Sequence, residues 1–300
     1  MAHVVVSGAS GLVGARLLPL LEARGYKAAR LVREYSAVSP EDVFWDPAAG
    51  ELDSDALEGV EAVVHLAGEN IAAGRWNAAR KARIRESRVD GTKLLCSKLA
   101  GMPRPPKVLV CASAIGYYGD RGDESLPEDA PAGEGFLPDV CREWEAASSA
   151  AEHAGIRVVR LRIGVVLSPK GGALKKLLFP FKMGSGGRIG SGDQFMSWIA
   201  IDDLAAAIVH CIETDSLSGA VNAVSPGVVT NKVFTKTLGK VLRRPTLIPL
   251  PPFVVRMVLG EMADGLLLAS AKVEPAALEA SGFEFEHNDL EDALRHLLGK

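Results

Sequence analysis

The chain has little cysteine, and the spacing of its few thiols argues against the commonest metal and disulfide sites. Its four cysteines, in 300 residues, are Cys96, Cys111, Cys141 and Cys211, and no two of them form a Cys-x-x-Cys pair. Thiolate metal sites need closely spaced cysteines, and small disulfide-stabilised domains need many of them. We therefore expect no metal site and a reducing, cytoplasmic compartment.

The sequence also lacks a dominant charge and an uninterrupted apolar run. Its 34 basic and 37 acidic residues give a net charge of −3, which provides no electrostatic footprint for nucleic acid or an anionic membrane. The most apolar later stretch, residues 251–269, is interrupted by Arg256, Glu261 and Asp264. The chain begins with a strand pattern and not with a signal peptide. We expect no nucleic-acid partner and no membrane association, while an organelle location stays open if a presequence is missing.

Glycine, by contrast, is concentrated at one informative place. Residues 3–7 read His-Val-Val-Val-Ser, which suits a buried parallel strand, and Gly8, Gly11 and Gly14 follow before an apolar helical pattern. A diphosphate needs a turn bare of side chains whose backbone amides meet it at a helix N-terminus. The spacing G-x-x-G-x-x-G differs from the common G-x-G-x-x-G. An ordinary βα turn is the alternative, but the strand and helix around the motif favour dinucleotide binding.

Strand-like and helix-like segments alternate through the first half of the chain. Strands are predicted at residues 3–7, 27–32, 60–66, 107–113 and 157–163, and long helical segments at 77–99 and 138–153. This alternation is typical of an α/β fold with a doubly wound parallel sheet. Ligands of such sheets bind beyond the carboxyl ends of the strands, so the residues after each strand are the functional candidates.

Two residues after the second strand bear on the choice of cofactor. Sites for NAD usually place an acid here to hold the ribose hydroxyls, whereas an arginine suits a 2′-phosphate. Arg33 occupies this place and Glu34 follows it. We favour NADP; the alternative is that Glu34 holds the ribose and Arg33 is solvated.

The third strand is followed by small and then polar residues. Ala67 and Gly68 would let the adenosine diphosphate half lie across the sheet edge, and Glu69 and Asn70 would stand at the mouth of the cleft. His65 lies inside the apolar strand, where a core histidine is a better interpretation than a catalytic base.

A series of motifs makes the chain similar to one known family. They are residues 8–14, His-Leu-Ala-Gly at 65–68, Asp-Gly-Thr at 90–92, Ala-Ser at 112–113, Tyr-Gly at 118–119 and Arg-Ile-Gly-Val-Val-Leu at 162–167. In order and spacing they resemble the extended short-chain dehydrogenases/reductases of the NAD-dependent epimerase/dehydratase type. Gly-Arg-Trp at 74–76, Ile-Gly-Tyr-Tyr-Gly at 115–119 and Gly-Glu-Met at 260–262 resemble its atypical branch, the epimerase family proteins or sugar-nucleotide epimerases with a C-terminal extension.

The resemblance implies a Rossmann sheet with a smaller C-terminal lobe. Residues 1–166 plus 202–224 would form the dinucleotide-binding domain, and 167–201 plus 225–300 a small substrate or lid lobe. Together with the glycine turn and Arg33, it indicates NADP(H) as the cofactor. The candidate cofactor-binding residues are Gly8, Ser10, Gly11, Leu12, Val13, Gly14, Arg33, Leu66, Ala67, Gly68, Glu69 and Arg88.

The chain departs from the family where the chemistry should occur. Family members use a serine with Tyr-x-x-x-Lys, whose lysine lowers the tyrosine pKa for proton exchange with the substrate. Ser113 fills the serine position, but the helix around residues 139–145 has no such pair. We name Ser113, Tyr118 and Glu145 as candidate catalytic residues. The alternatives are that Tyr118 packs the loop and that Glu145 is a salt-bridged helix residue.

Two functions follow from these features. The first is an NADP(H)-dependent oxidoreductase or epimerase-like protein acting on a small polar substrate, either free or linked to a nucleotide. The second is an NADP(H)-binding redox sensor or regulator with little turnover, which the missing Tyr-x-x-x-Lys favours. Ser113 and the polar cleft place the first slightly ahead. A homodimer is one option for the assembly.

Overall fold

The computed structural model describes residues 2–34 and 42–300 of the chain. The strands are β1 (His3–Ser7), β2 (Lys27–Val32), β3 (Val43–Asp46), β4 (Glu51–Leu52), β5 (Ala62–His65), β6 (Val108–Ala114), β7 (Ser125–Leu126), β8 (Arg157–Ile163), β9 (Val165–Leu167), β10 (Phe195–Met196), β11 (Trp198–Ala200), β12 (Gly219–Ala223), β13 (Val229–Thr230) and β14 (Lys272–Val273). The helices are α1 (Gly14–Ala23), α2 (Ala78–Ala100), α3 (Phe136–Ala146), α4 (Ser149–His153), α5 (Gly172–Lys182), α6 (Ile201–Glu213), α7 (Asn231–Leu242), α8 (Pro252–Leu259), α9 (Ala276–Ala280) and α10 (Leu290–Leu298).

A central sheet of eight strands organises these elements. Its order is β12-β8-β6-β5-β1-β2-β3-β4, and every neighbouring pair is parallel except β3 and β4. The chain runs from β1 to β2 and β3 and then returns to β5 on the other side of β1. The strand order therefore reverses between β1 and β5, which is where doubly wound sheets open a ligand crevice. The predicted α/β fold with a doubly wound sheet is confirmed.

The composition of the strands follows from their position in this sheet. Every residue of β5 is buried, as are six of the seven residues of β6, which explains their Val-rich sequences. Strand β8 instead carries three arginines. Arg157 donates to the carbonyl oxygens of Cys211 and Ile212 near the end of α6, and Arg160 to that of Glu145 near the end of α3. These cations satisfy carbonyl groups at helix C-termini and so fix both helices against the sheet.

Apolar side chains form cores on both faces of the sheet and a third core beside it. Helices α1 and α6 pack on one face together with Leu278 of α9, and α2 packs with Ala151 of α4 on the other. The third core joins α5, α7 and α10 around the fully buried Trp198. This third core consists of residues from 167–201 and 225–300, the two ranges predicted to form the small lobe. Helix α9 also lies within 225–300, but it packs on the main sheet. The division into two lobes thus stays a prediction.

Several predicted boundaries differ from the structure for local reasons. The helix expected at 138–153 is two helices, α3 and α4, because the chain turns at Ala147 and Ser148. The apolar stretch 251–269 contains α8 and then a π-helical turn, Asp264–Leu268. Strands β3 and β4 were missed because they are only four and two residues long. Among the described residues, no helix combines the length and the apolarity that crossing a membrane requires.

Candidate functional site

The turn between β1 and α1 is shaped by the absence of side chains. Gly8 has a φ of +67°, and a Cβ there would lie 2.9 Å from the amide nitrogen of Ala67 and from the carbonyl oxygen of Leu66. A Cβ on Gly14 would lie 2.6 Å from the carbonyl oxygen of Gly8, so only glycine lets α1 start this close to the strand. The turn is therefore pressed against the end of β5, at the point where the strand order reverses.

Backbone amides at this turn are free to meet an anion. Helix α1 has no side-chain cap at Val13, and the amides of Leu12 and Val13 have no acceptor among the residues the structure describes. Ser10 and Gly11 are exposed beside them. Uncapped amides at a helix N-terminus attract a phosphate through hydrogen bonds and the helix dipole. Residues 8–14 thus fit the diphosphate of a dinucleotide.

The hydroxyl of Ser7 joins the ends of β1 and β5 below this turn. It accepts hydrogen bonds from the amides of Leu66 and Ala67, at 3.0 and 3.2 Å, and lies 2.7 Å from Nδ1 of His65. Burial lowers the pKa of His65 to about 4, so the ring is neutral at pH 7. The prediction of a core histidine is confirmed in its burial, since the side chain is 0% exposed and packs on Trp45, but Nε2 of the ring has no hydrogen-bond partner among the described residues.

Arg88 supports the wall of the cleft after β5. Its guanidinium lies against Gly68, where a Cβ would be 3.3 Å from Cζ, and its Nη1 donates to the carbonyl oxygens of Glu69 and Ile84, both at 3.1 Å. Its guanidinium also lies 5.1 Å from the ring centre of Trp144, and burial lowers its pKa. The carboxylate of Glu69 pairs with Arg80 at 3.3 Å. Arg88 therefore holds the loop that borders the cofactor cleft.

Arg33 stands exposed just beyond β2, as predicted, and so does Glu34. Arg33 makes no ion pair or hydrogen bond with any other residue in the ranges 2–34 and 42–300. Arg30, in the same strand, is committed to the carboxylate of Asp42. An anion beyond β2 would therefore find the guanidinium of Arg33 unengaged.

Ser113 and Glu145 meet at the carboxyl end of β6. The Ser113 hydroxyl donates to Oε1 of Glu145 at 2.6 Å, and the two side chains are 3% and 11% exposed. Arg162, at the end of the neighbouring β8, donates to both oxygens of the same carboxylate at 2.8 and 2.9 Å. Such a two-pronged contact fixes the plane of the carboxylate as well as its charge. Burial acts to lower the pKa of Arg162, but contact with Glu145 and Tyr118 raises it above its ordinary value.

Tyr118 lies behind this pair, in the interior. Its side chain is 0% exposed; its hydroxyl accepts from Nη1 of Arg162 at 2.9 Å and donates to Oδ1 of Asn222 at 2.8 Å. Burial raises the pKa of Tyr118, although Arg162 and Asn222 oppose this effect. The ring of Tyr117 lies under the guanidinium of Arg162, 3.5 Å from Cζ to the ring centre. Tyr118 is thus a member of a buried network, and a proton-handling role for it stays a prediction.

A loop and helix of the later chain lie over the cleft. A Cβ on Gly171 would be 3.0 Å from Cδ1 of Leu12 in the glycine turn, so the segment before α5 covers that side chain. Lys176 of α5 donates to the carbonyl oxygen of Ala72 at 2.9 Å. Helix α5 therefore spans from the glycine turn to the loop that follows β5.

Comparison with known proteins identifies the family. The model of the NAD dependent epimerase/dehydratase family matches residues 4–223. The chain belongs to this family. A second model, described as a domain of unknown function (DUF1731), matches residues 250–297.

Relatives extend this membership over the whole chain. An epimerase family protein of Mycobacterium bovis is 43% identical over 293 residues, which are 98% of this chain and 96% of that protein. The crystal structure of human epimerase family protein SDR39U1 (isoform 2) with NADPH is 36% identical, covers 99% of both chains and has a TM-score of 0.91. A nucleoside-diphosphate sugar epimerase from Corynebacterium glutamicum is 39% identical with a TM-score of 0.83, over 99% of this chain and 58% of that one. These findings confirm the resemblance to an atypical extended short-chain dehydrogenase/reductase.

The family motifs did not reveal the most connected residue of the network. Arg162 contacts Glu145, Tyr117 and Tyr118, and its Nη1 also donates to the carbonyl oxygen of Glu128 at 2.9 Å. In the sequence, Arg162 is noticed only as the first residue of the motif at 162–167. One feature of the sequence could have indicated its role: Arg162 is the third arginine in an otherwise apolar strand. A buried cation requires an anion nearby, so such an arginine predicts a carboxylate partner.

Proposed function

We propose that the protein is an NADP(H)-dependent oxidoreductase or epimerase that acts on a small polar substrate. The observation that carries this proposal is the Ser113 hydroxyl, which donates to the Glu145 carboxylate at 2.6 Å on the same sheet edge as the glycine turn. A hydroxyl hydrogen-bonded to a buried carboxylate can relay a proton. The proposed dinucleotide site, whose cofactor would carry the hydride, lies two strands away in the same sheet.

Three features support NADP(H) as the cofactor. The amides of Leu12 and Val13 suit the diphosphate, the unengaged Arg33 suits a 2′-phosphate, and the human relative is solved with NADPH. When bound, the nicotinamide would accept or donate a hydride at C4. The chain's own residues must then manage the accompanying proton and the orientation of the substrate.

Ser113 and Glu145 provide the proton path. In the oxidative direction the substrate hydroxyl passes its proton to Oγ of Ser113, while the serine proton moves along the existing hydrogen bond to Oε1 of Glu145. The substrate carbon loses a hydride, and a carbonyl forms. In the reductive direction both protons move back. An epimerase would run the two directions in turn with the carbonyl presenting its other face in between.

Arg162 is the fixed cation beside Glu145, but it does not take over the task of the missing lysine, because the pKa of Tyr118 stays raised by burial. It holds Glu145 through two hydrogen bonds and so keeps the carboxylate aimed at Ser113. It also donates to the hydroxyl of Tyr118, but that hydroxyl is enclosed by Asn222 and the carbonyl oxygen of Pro127. We therefore assign the proton to Glu145 and a positioning role to Tyr118.

The name of the relative in Corynebacterium glutamicum, a nucleoside-diphosphate sugar epimerase, supports a nucleotide-linked substrate. The loop after β5 carries Arg75, whose exposed guanidinium would be the cation for a diphosphate of the substrate. We propose that the C-terminal lobe, with α5 as its nearest element, covers this substrate.

Deuterium transfer tests the proposal. Protein is incubated with stereospecifically 4-deuterated NADPH and a panel of quinones, aldehydes and keto sugars, and with NADP⁺ and nucleotide sugars. We expect transfer in the wild type and a loss of about a hundredfold or more in Ser113→Ala and Glu145→Gln. Glu143→Gln, on the same helix but paired with Arg85, is the matched control and should keep full activity. Transfer that survives both site changes would place the chemistry elsewhere.

The second candidate is an NADP(H)-binding regulator with little turnover. The enclosed hydroxyl of Tyr118 and the missing lysine favour it, because the phenol of Tyr118 is buried and bonded to Asn222 and so is not set up to donate a proton to a substrate. Tight NADPH binding without transfer to any acceptor in the same panel would select this function.

A further inference from the structure

Two histidines and an aspartate converge where the C-terminal segment meets the sheet domain. Asp202 is the second residue of α6, His287 lies just before α10, and His296 lies on α10. One carboxylate oxygen of Asp202, one ring nitrogen of His287 and one ring nitrogen of His296 all lie within 4.8 Å of one another. The proposed hydride chemistry uses none of these three side chains.

The ring of His287 is buried and incompletely bonded. The residue is 7% exposed, and its Nε2 has no hydrogen-bond partner among the described residues. Its backbone amide donates to the carboxylate of Asp203 at 3.0 Å, and its ring lies 4.3 Å from that of His296 between centroids. An unpartnered buried nitrogen costs free energy. Nε2 of His65 is also unpartnered among the described residues, but only His287 belongs to a cluster of potential metal ligands, where a bound ion could remove that cost.

The other two side chains are within hydrogen-bonding distance of each other. Nε2 of His296 lies 3.2 Å from Oδ2 of Asp202, and Oδ1 of Asp202 accepts from Arg16 of α1. One carboxylate oxygen thus faces the histidines while the other is held by an outer cation. Metal sites commonly orient their carboxylate ligands by such outer contacts.

We propose that Asp202, His287 and His296 bind a divalent transition-metal ion, most simply Zn²⁺. Imidazole and carboxylate are suitable ligands for zinc, and metal–ligand bonds of about 2.0–2.1 Å separate tetrahedral ligand atoms by about 3.3 Å. Ligand atoms that already lie within 4.8 Å need to close by at most about 1.5 Å. The side chain of His296 is 51% exposed, which leaves the ion a path from solvent and a fourth position for water.

The ion would tie the C-terminal helix to the sheet domain. It would take the place of the contact between His296 and Asp202 and would also bind His287, and it would thereby link α10 to α6. The spacing of cysteines could not predict this site, because its ligands are carboxylate and imidazole groups that lie far apart in the sequence. The expectation of no metal site rested on thiols alone.

Cobalt provides the direct test, with the metal-stripped, tag-free full chain. We expect Co²⁺ to give the intense visible bands of a four-coordinate site, Zn²⁺ to abolish them in competition, and Zn²⁺ to raise the melting temperature. Asp202→Asn, His287→Phe and His296→Ala should each weaken Co²⁺ binding at least tenfold and remove the Zn²⁺-dependent shift. His287→Phe keeps a ring in the buried position, and the half-exposed His296→Ala should fold normally.

His153→Ala is the matched control, because His153 is an exposed histidine on α4 outside the cluster. It should leave cobalt binding and the melting shift unchanged. The proposal is overturned if the four-coordinate bands are absent, if the three variants bind Co²⁺ as the wild type does, or if only His296→Ala weakens binding, since that result indicates an adventitious surface histidine.

Discussion

At the carboxyl end of β1 the site is formed by missing side chains, whereas at the carboxyl ends of β6 and β8 it is formed by side chains that satisfy one another. Gly8 and Gly14 keep the turn thin enough for amides to face the cleft. Ser113, Glu145 and Arg162 are joined instead by direct hydrogen bonds. The first region is damaged by adding atoms and the second by removing them. A single sheet edge therefore presents two kinds of sensitivity to mutation.

The difference matters for how each region tolerates change. Gly11 is exposed and the turn carries no charge, so a variant at Gly11 should lose ligand and keep stability, whereas a Cβ at Gly8 or Gly14 would collide with backbone atoms and cost stability as well. The network buries a guanidinium and a carboxylate, so its variants should lose stability together with activity. Measurements of folding and of binding on the same variants separate the two regions.

The largest effect should come from removing the cation of the network. Arg162→Met leaves Glu145 as a buried, unpaired carboxylate and should lower the free energy of unfolding by about 3–5 kcal/mol. Urea denaturation measures this loss. Arg160→Met, in the same strand, is the control and should lose less, because Glu152, its ionic partner, is half exposed. A loss below about 1 kcal/mol for Arg162→Met would contradict the view that this pair anchors the region.

The second prediction concerns His65, which lies beneath the glycine turn. Its folded pKa, about 4, is below the unfolded value of 6.5, so the unfolded chain takes up the proton first. The stabilisation is complete above pH 6.5 and is lost as the pH falls toward 4, by about 3 kcal/mol in all. Unfolding free energies measured from pH 7 to pH 4 should show this slope. His65→Gln, which still reaches Ser7 and cannot become charged, should be less sensitive to acid by that amount; equal slopes would contradict the assignment.

The third prediction adds atoms to the glycine turn. In Gly11→Val the new Cβ would lie 3.1 Å from the carbonyl oxygen of Gly8, on the exposed side where the diphosphate is proposed to bind. NADPH affinity should fall by about a hundredfold, or about 2.7 kcal/mol, while the circular dichroism spectrum is unchanged. Gly101→Val, at the end of α2 and far from the cleft, serves as the control. Normal NADPH binding by Gly11→Val would contradict the cofactor site.

The regions also differ in how far the sequence predicts them. The strands at 3–7, 27–32 and 157–163 were predicted with the bounds the structure has, because apolar runs ended by glycine or polar residues are strong local signals. The glycine turn was predictable for the same reason: three glycines, a strand and a helix are contiguous. Short strands near the edge of the sheet, such as β3, lack such a signal and were missed.

The network could not be predicted to the same extent, since its contacts join distant parts of the chain. Ser113 and Glu145 were named as candidates, but nothing in the sequence shows that Arg162 fixes them. Tyr118 bonds to Asn222, 104 positions away, and this contact is what places its hydroxyl in the interior. A motif gives residue types and spacing, whereas burial depends on the packing of elements that the motif does not contain.

The smallest effect sharpens the comparison at the far end of the cofactor site. If Arg33 holds a 2′-phosphate, its charge-assisted contact is worth about 1.5 kcal/mol at the lower limit, so Arg33→Ala should weaken NADPH about tenfold and leave NADH nearly unchanged. Stability should not change, because Arg33 is exposed and has no partner among the described residues. Residues 35–41, which follow Arg33, lie outside the part of the chain that the structure describes.

Fluorescence titration with NADPH and NADH measures the two affinities. Arg24→Ala removes an exposed arginine at the end of α1 and controls for the change in net charge. Equal affinities of the wild type for NADPH and NADH would contradict the assignment, because Arg33 would then contribute nothing to the choice between them.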